Sequence, residues 1–393
     1  MQERTLRFDY SSLESVVVGQ PAAEFVAAAA ERFGSRRVFV LASNSLSAGT
    51  DCILKITAAL GDRFAAQGSP VAAHTPRPDV LRAIAEARDA QADLLVSVGG
   101  GSVVDAAKVV QLALSQDIRS ESALLAYARF TDGSGGKRAG RYEHYKPSTV
   151  RQIAVPTTLS GAEHSNNAGV TDPVQAVKEG YRAPDLYPRM VVYDPSLAVY
   201  TPRWLWLSTA IRSLDHAVEG FCSADCHPFL EAHFLHAVSL LFHSLPDTVQ
   251  APGNTEALAL NQQAVWLACC GLGKVSHGAS HGIGYILGAR CQVPHGYTSC
   301  VMLPAVLEYN AGVNGDRQAR LRQASGVDMP LADAVRTLVR ELGLPSTLQE
   351  VGIDRTQLPE IAELACAHRV VQRNPRRIRD ARDVMDILER AWG

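Results

Sequence analysis

The chain has 393 residues, of which 47% are hydrophobic and 20% are charged, and its formal net charge at pH 7 is -2. This length predicts two or three domains with ample hydrophobic core. The near-neutral charge gives no reason to expect nucleic acid or a membrane surface as a partner, and no apolar run approaches the roughly 20 residues that span a bilayer.

The N-terminus lacks the apolar core of a secretory signal, and the eight cysteines contain no C-x-x-C pair. Sparse cysteines in a long chain are typical of reduced, mostly buried thiols. We therefore expect a cytoplasmic protein.

The first forty residues predict edge strands at 5–10 and 16–19, a helix at 21–33 and a buried strand at 37–42. A helix at 51–67, a strand at 71–75 and a helix at 78–90 are expected to follow. Strands that alternate with helices predict a parallel sheet covered on both faces.

Residues 99–108, GGGSVVDAAK, are the most informative stretch of the chain. The apolar run 93–98 before it predicts a buried strand, and residues 103–114 after it predict a buried helix. The string is not the G-x-G-x-x-G fingerprint, because no glycine stands at its sixth position. A tight structural turn without a ligand is the alternative interpretation.

Gly99, Gly100 and Gly101 allow the backbone to turn sharply and to approach a ligand closely. The unbonded N–H groups at the start of the following helix favour an anion, usually a pyrophosphate. Ser102 stands where an N-cap belongs, and its hydroxyl would add one more donor.

Small polar residues follow the strand at 37–42. Ser43 and Asn44 are candidates to contact the adenosine ribose, because ligands collect at the carboxyl ends of strands in open α/β sheets. An acidic residue there would bind the ribose 2′-hydroxyl and repel a 2′-phosphate. Since Ser43 is neutral, NAD and NADP both remain open as the cofactor. The alternative interpretation of residues 43–45 is a loop that binds no ligand.

Residues 129–149 are rich in glycine and poor in apolar side chains. A long loop of this kind is expected to be a lid or a plain insertion. In a lid, the useful side chains would be Arg141, Tyr142, His144 and Tyr145.

A strand at 152–155 ends in Pro156–Glu163, a turn rich in hydroxyls. Thr157, Thr158 and Ser160 are candidates for contacts with the cofactor phosphate and nicotinamide ribose. Residues 190–195 predict the last strand of the sheet.

From Pro202 onward the sequence predicts only helices. They are expected at 202–224, 228–243, 255–273, 276–288, 296–312, 315–324, 330–342, 356–367 and 381–391. The predicted architecture is an α/β dinucleotide-binding domain at 1–198 and an all-helical catalytic or substrate domain at 199–393.

The histidines of the second half occur in particular patterns. Arg212 and His216 are four residues apart and so share a helix face, as do His277 and His281. His295 follows in a Pro-His-Gly turn. Three such histidines could converge on a divalent metal, since imidazole suits iron and zinc, although a single histidine is more often structural.

These motifs together resemble the iron-containing alcohol dehydrogenase family, including its maleylacetate reductase branch. The resemblance runs from about residue 37 to the end of the chain. The strings that carry it are residues 99–108, 156–163, 214–220, 271–284, 293–296 and 374–376, together with Lys178 and the Asp194-Pro195 pair.

The resemblance implies the fold shared with dehydroquinate synthases, a nicotinamide cofactor, a small carbonyl or alcohol substrate, and a homodimer or larger assembly. It extends the cofactor contacts to Asp105 and Lys178. In that family one Asp and three His bind the metal, and a further histidine, which matches His281, helps to move the proton.

One departure from the family pattern is serious. The alignment puts Arg212 where the ligating Asp should be, and a guanidinium has no acceptor and repels a dication. Asp215 points about 100° around the helix from His216 and is a poor substitute. The maleylacetate reductase branch also lacks this Asp and is regarded as metal-independent.

We therefore favour a metal-free site in which Arg212 polarises a carbonyl or binds a substrate carboxylate. His216, His277 and His295 would then donate hydrogen bonds or carry protons. The alternative keeps iron or zinc on these three histidines, with Arg212 turned away.

The sequence thus predicts an NAD(P)-dependent oxidoreductase that transfers a hydride in a cleft between its domains. An oxo acid such as maleylacetate would suit Arg212, while a neutral aldehyde or ketone stays open. A metal-dependent alcohol dehydrogenase is the alternative. A non-redox lyase or cyclase and an inactive nucleotide-binding protein are further hypotheses, and both are weaker.

Overall fold

The computed structural model describes residues 7–130, 145–175 and 177–393. They form two compact units. One is Tyr10–Thr201, and the other is Pro202–Gly393 together with the described residues before Tyr10. The boundary predicted after residue 198 lies close to this division.

The α/β unit contains nine strands and seven α-helices among its described residues. The strands are β1 (Ser15–Val18), β2 (Val38–Ala42), β3 (Phe64–Gln67), β4 (Leu94–Gly99), β5 (Arg129–Phe130), β6 (Arg151–Pro156), β7 (Asn167–Asp172), β8 (Val177–Arg182) and β9 (Met190–Tyr193). The helices are α1 (Ala22–Arg32), α2 (Asn44–Gly49), α3 (Cys52–Leu60), α4 (Arg77–Asp89), α5 (Gly101–Ser115), α6 (Glu121–Leu125) and α7 (Pro195–Ala198).

Six of these strands form a parallel sheet in the order β1-β9-β6-β4-β2-β3. Alternate residues of β2 face opposite sides. Val38 and Val40 pack in one buried apolar cluster, and Phe39 and Leu41 pack in another. Both faces are therefore covered, which confirms the predicted parallel sheet.

The strand order places β3 and β4 on opposite sides of β2. The direction of winding thus reverses between β2 and β4. Ligands of open α/β sheets bind at the carboxyl ends of the strands at such a switch point. The glycine turn after β4 and the polar residues after β2 both lie there.

A second, antiparallel sheet has the order β5-β8-β7. No sequence pattern predicted this sheet. Strand β7 packs against α5, the helix that follows the glycine turn.

Two predictions between residues 51 and 75 are wrong. The helix ends at Leu60, because Gly61 adopts a positive φ of 52° that stops the helix, and residues 64–67 then form β3. The strand predicted at 71–75 is reduced to a single bridge between Val71 and Ser43.

The strand predicted at 5–10 is wrong for residues 7–10, which belong to no strand, while residues 5 and 6 lie outside the described part. Arg141, Tyr142 and His144 of the suggested lid also lie outside it. Tyr145 is described, and its hydroxyl donates a hydrogen bond to Asp185.

The described part of the second unit contains α-helices and no strand, as predicted. They are α8 (Arg203–Cys222), α9 (Pro228–Gln250), α10 (Thr255–Cys269), α11 (Ala279–Cys291), α12 (His295–Ser325), α13 (Leu331–Glu341), α14 (Leu358–Ala367) and α15 (Ala381–Arg390). The structure confirms the two helices predicted at 296–312 and 315–324, because Asn314 has non-helical backbone angles (φ -134°, ψ 26°) and divides α12 at a kink. No helix in the described ranges is long and apolar enough to cross a bilayer.

Candidate active site

The predicted cofactor residues of the α/β unit lie along one edge of the parallel sheet. The Ser43 N–H donates to the Val98 carbonyl at 3.2 Å, and the Thr157 N–H donates to the Gly99 carbonyl at 3.0 Å. The carboxyl ends of β2, β4 and β6 are therefore neighbours. The structure brings Ser43, the glycine turn and Thr157 together at the switch point.

The glycine turn leads directly into α5. Gly99 has a positive φ of 151°, and Gly100 occupies the N-cap position. Within the part of the chain that the structure describes, the N–H groups of Gly101 and Ser102 have no hydrogen-bond acceptor. These donors and the positive end of the helix dipole suit a pyrophosphate.

The glycines also allow a second loop to lie against the turn. A Cβ on Gly100 would stand 3.0 Å from Thr158 Cγ2, and one on Gly101 would stand 3.0 Å from Ser160 Oγ. The hydroxyls of Thr158 and Ser160 are 3.3 Å apart. The predicted phosphate and ribose contacts are thus packed side by side.

Two residues of the glycine string have roles other than those expected. Ser102 is not the N-cap, and its hydroxyl accepts the His74 N–H at 3.0 Å. The Asp105 carboxylate accepts the Gly169 N–H at 2.9 Å and lies 3.2 Å from Lys108 Nζ. The carboxylate therefore holds β7 against α5.

The other predicted cofactor residues are nearer the surface. Asn44 is exposed at the start of α2. Lys178 is exposed on β8, and its side chain crosses Gly169, where an added Cβ would stand 3.0 Å from Lys178 Nζ. Lys178 thus lies over the strand that Asp105 holds.

The helical unit carries a buried polar cluster on one face of α8. Arg212, His216 and Glu219 are spaced at i, i+4 and i+7 and share this face, and Asp215 stands beside it. All four side chains are less than 10% exposed. Charges this deeply buried require partners.

The imidazoles of His216, His277 and His281 face one another. His216 Nδ1 lies 2.7 Å from His281 Nε2 and 3.2 Å from His277 Nε2. His216 and His281 are buried, and His277 is half-buried. The three imidazoles meet at His216 Nδ1, a single ring nitrogen that either accepts or donates, and its shorter contact is with His281.

Glu219 fixes the orientation of His281. Its carboxylate accepts the Nδ1–H of His281 at 2.8 Å. It also accepts the backbone N–H groups of Gly278, Ser280 and His281 at 2.8 to 3.2 Å. Because the N-cap residue Gly278 has no side chain, Glu219 serves as the cap of α11 from a neighbouring helix.

Asp215 lies between the same histidine and the arginine. Its Oδ2 atom accepts the hydroxyls of Ser280 and Ser299 at 2.8 and 2.7 Å. The same oxygen is 3.4 Å from His281 Nδ1 and 3.8 Å from Arg212 Nη1. Two carboxylates and two basic groups are therefore buried together.

The protonation of these groups follows from their surroundings. Burial and the Arg212 charge act to lower the pKa of His281, but Asp215 and Glu219 outweigh them, so this pKa is raised. Burial also acts to raise the pKa of Asp215, but His281, Arg212 and Ser299 outweigh it, so this pKa is lowered. His281 is thus the histidine that retains a proton.

The other two imidazoles are held neutral. Burial lowers the pKa of His216 well below its usual range, and the positive charges of His281 and Arg212 add to this effect. Burial and the His281 charge lower the pKa of His277 in the same way. The His281 Nε2–H can therefore donate to a neutral His216.

Arg212 keeps donors for a ligand. Its Nη1 donates to Ser299 Oγ at 3.0 Å. Among the described residues, Nε and Nη2 of this guanidinium have no acceptor. The Tyr285 ring, which is 40% exposed, lies 5.6 Å from Arg212 Cζ.

His295 stands apart from this cluster. It is exposed at the start of α12, and its Cε1 atom would be 3.2 Å from a Cβ on Gly288. Gly288 is about two turns along α11 from His281. The structure therefore groups His281, rather than His295, with His216 and His277.

The residues present do not fit a resident divalent metal. The convergence of three imidazole nitrogens is favourable, since zinc sites use such ligands. However, the 2.7 Å separation of His216 Nδ1 and His281 Nε2 is that of a hydrogen bond. Arg212 also places a positive charge beside these imidazoles, and a guanidinium repels a dication.

No sequence pattern pointed to Glu219, Ser280 or Ser299, or to a role for Asp215. Glu219 could have been found, because it follows His216 by three residues and therefore lies on the same helix face. Ser299 could not, because it reaches the cluster from α12 through tertiary packing.

Two family descriptions match almost the whole chain. Residues 14–195 match "Iron-containing alcohol dehydrogenase", and residues 206–392 match "Fe-containing alcohol dehydrogenase family, C-terminal". The chain is also 32% identical over 396 residues to "Dehydrogenase ALT3" of Alternaria alternata, and this match covers 91% of this chain and 100% of that protein.

Maleylacetate reductases are similar in sequence and in structure. "Maleylacetate reductase 1" of Cupriavidus pinatubonensis is 28% identical over 358 residues, which cover 91% of this chain and 89% of that protein. The crystal structure of maleylacetate reductase from Agrobacterium tumefaciens has a TM-score of 0.81 and 26% identity, and the match covers 99% of both chains. The protein is an oxidoreductase that belongs to the iron-containing alcohol dehydrogenase family, with maleylacetate reductases among its relatives.

Proposed function

We propose that this protein is an NAD(P)H-dependent reductase of carbonyl compounds that works without a metal ion. The observation that carries this proposal is the buried Arg212, which is 7% exposed and keeps Nε and Nη2 unpaired among the described residues. A positive charge held in place can stabilise the negative charge that develops on a carbonyl oxygen during reduction.

The switch point of the sheet is the proposed cofactor site. Ser43 and Asn44 would contact the adenosine ribose, the N–H groups of Gly101 and Ser102 would bind the pyrophosphate, and Thr157 would lie by the nicotinamide ribose. Thr158 and Ser160 would assist there, and Lys178 and Asp105 would stand behind these contacts. No acidic side chain occupies residues 43–45, so a 2′-phosphate meets no repulsion from them.

In the proposed reaction a carbonyl compound becomes an alcohol. NAD(P)H supplies the hydride for the carbonyl carbon. Arg212 donates hydrogen bonds to the carbonyl oxygen, and His281 is the source of the proton that this oxygen acquires. His216 accepts a hydrogen bond from His281 and can pass the proton on towards the carbonyl oxygen. Glu219 keeps the His281 ring in place.

The substrate class follows from the same guanidinium. Its two adjacent donors, Nε and Nη2, can contact the carbonyl oxygen and an oxygen of a neighbouring carboxylate at the same time. We therefore favour oxo acids as substrates, with neutral aldehydes and ketones as the second group to test. The maleylacetate reductases among the relatives support this choice.

A metal-dependent alcohol dehydrogenase is the second candidate function. The convergence of His216, His277 and His281 on one another favours it. In the form predicted from the sequence, the ligands would be His216, His277 and His295, so the His295 side chain would have to leave the vicinity of Gly288.

Metal analysis combined with an activity assay separates the two candidates. Protein purified without chelator is assayed for metal by mass spectrometry and for oxidation of NADH and NADPH with oxo acids, aldehydes and ketones. Our proposal expects substoichiometric metal and activity that survives chelation. One equivalent of a single metal, lost together with activity, would establish the alternative.

The Arg212→Asp variant tests whether Arg212 is the residue that prevents metal binding. Restoring a carboxylate next to His216 should create a metal site, so iron or zinc should be retained through purification. The Arg212→Asn variant serves as the control, because its amide is neutral and similar in size to the carboxylate of Arg212→Asp. A wild-type protein that already holds as much metal as Arg212→Asp contradicts the proposal.

A further inference from the structure

A fully buried lysine joins the two segments of the proposed cofactor site. Lys108 lies on α5 and has no exposed surface. Its Nζ donates to the carbonyls of Ala162 and Asn167, at 2.7 Å in both cases. It also lies 3.2 Å from Asp105 Oδ1. Burying an ammonium group is costly, so these contacts must compensate for its lost hydration.

Lys108 is seven residues after Gly101, which is about two helical turns, so both residues lie on one side of α5. The loop after β6 follows this side. Ser160 and Ala162 contact the position of Gly101, and the Ala162 carbonyl accepts from Lys108. Helix α5 and the loop are therefore in contact at two points, one in the first turn and one about two turns later.

The loop is also held by a residue of β9. The Tyr193 hydroxyl donates to the Glu163 carboxylate and lies 2.8 Å from His164 Nε2. Glu163 and His164 are both buried. Because Tyr193 and Lys108 both form hydrogen bonds to the loop, it has little freedom to shift along α5.

We propose that Lys108 is a positioning residue that sets the spacing between the pyrophosphate-binding turn and the loop that receives the nicotinamide ribose. This inference rests on the proposed cofactor site. A dinucleotide contacts both segments, so it needs the correct spacing. A mononucleotide that occupies only the adenosine half and the turn does not need it.

The test compares Lys108→Met with a matched control, Gln111→Met. Gln111 is also fully buried on α5, and its amide donates to the Asp185 carbonyl at 2.7 Å, away from the loop. Dissociation constants for NADH, NADPH and AMP are measured by titration calorimetry, and thermal unfolding is recorded for each variant.

Lys108→Met should weaken binding of the dinucleotide by at least about tenfold, which is about 1.4 kcal/mol, while the Kd for AMP stays within about twofold. Gln111→Met should lose stability but bind both ligands as the wild type does. If Lys108→Met does not fold, Lys108→Gln, which keeps donors on a shorter side chain, should give the same selective loss.

Three results would overturn the inference. One is dinucleotide affinity in Lys108→Met equal to that of the wild type, which leaves the proposed function intact. Another is an equal loss of affinity for AMP and for the dinucleotide, which indicates general damage to the unit. The third is a wild-type protein that binds neither NADH nor NADPH, and this result alone also removes the proposed function.

Discussion

Arg212 and Asp215 lie one turn apart on α8, with Arg212 Nη1 3.8 Å from Asp215 Oδ2, and both side chains are buried. Ser299 bridges them, since it accepts from the arginine and donates to the aspartate. A buried charge without a partner is strongly destabilising. Asp215 therefore allows a guanidinium to remain at a position where a metal ligand is expected.

Removal of the Arg212 guanidinium should abolish most of the activity. Loss of a preorganised donor to a developing oxyanion typically lowers kcat by about 100-fold to 1,000-fold, and we expect Arg212→Met to lose this much. The measurement is steady-state oxidation of NAD(P)H with the best oxo acid. Arg203→Met, which changes an exposed arginine at the start of the same helix, should keep full activity. Wild-type rates in Arg212→Met would refute the role of this residue.

The pH dependence of reduction should report the His281 proton. Since Asp215 and Glu219 outweigh burial and raise the pKa of His281, activity should fall as the pH rises through that value. Glu219→Gln removes one of these charges, so the alkaline limb of the kcat/KM profile should move to lower pH by about one unit or more.

Asp225→Asn is the control for this profile. Asp225 is hydrogen-bonded to Ser276, outside the histidine cluster, and its removal should leave the limb in place. An unchanged limb in Glu219→Gln would show that His281 does not control the reaction.

Glu163 should make stability depend on pH. Burial raises its pKa to about 6, although the Tyr193 hydrogen bond acts in the opposite direction. A carboxyl whose pKa rises on folding stabilises the folded state at low pH and loses this contribution as the pH rises through the folded-state value.

The free energy of unfolding of the wild type should therefore fall by about 2 kcal/mol relative to that of Glu163→Gln as the pH rises from about 4 to about 7.5. Denaturant unfolding at a series of pH values measures this difference. Glu31→Gln, at an exposed glutamate, should show no such trend. A constant difference for Glu163→Gln would mean that Glu163 is not titrating in the folded protein.

Two glycines should respond to alanine in opposite directions. A Cβ on Gly282 would stand 2.3 Å from Val371 Cγ2 and 2.8 Å from the Val371 backbone nitrogen. Gly282→Ala should therefore lower the free energy of unfolding by about 1 to 3 kcal/mol.

Gly312 lies within α12 and has no atom within 4 Å of an added Cβ. Gly312→Ala should raise the stability by about 0.5 to 1 kcal/mol, because alanine has the higher helix propensity. Chemical denaturation of both variants gives the two values. A stabilising Gly282→Ala would contradict the packing of α11 against Val371.

Much of the fold could be predicted because local patterns were strong. The apolar run before Gly99, the helix-forming residues after it and the helices of the second half all have clear periodicity. The strand β3 and the sheet β5-β8-β7 were missed. Their short segments carry little apolar alternation, so only pairing with neighbouring strands makes them strands.

The candidate site was only partly predictable. Arg212, His216, His277 and His281 were found from spacing and resemblance, and the structure places them in one cluster. His295 was expected in the same group, but it lies on an exposed turn beside Gly288. Ser102 was expected to be the N-cap of α5, but Gly100 takes that position. Asp105 was expected to contact the cofactor, and its carboxylate accepts the Gly169 N–H.

The sequence by itself determined the family, the two-part architecture, the glycine turn and the replacement of a ligating Asp by Arg212, because these depend on residue type and on short-range spacing. Only the tertiary structure decided how the charges of the site are balanced. Glu219, Asp215, Ser299 and Lys108 act on groups far away in the chain, and hydrogen bonds of this kind exist only after the helices and loops have packed.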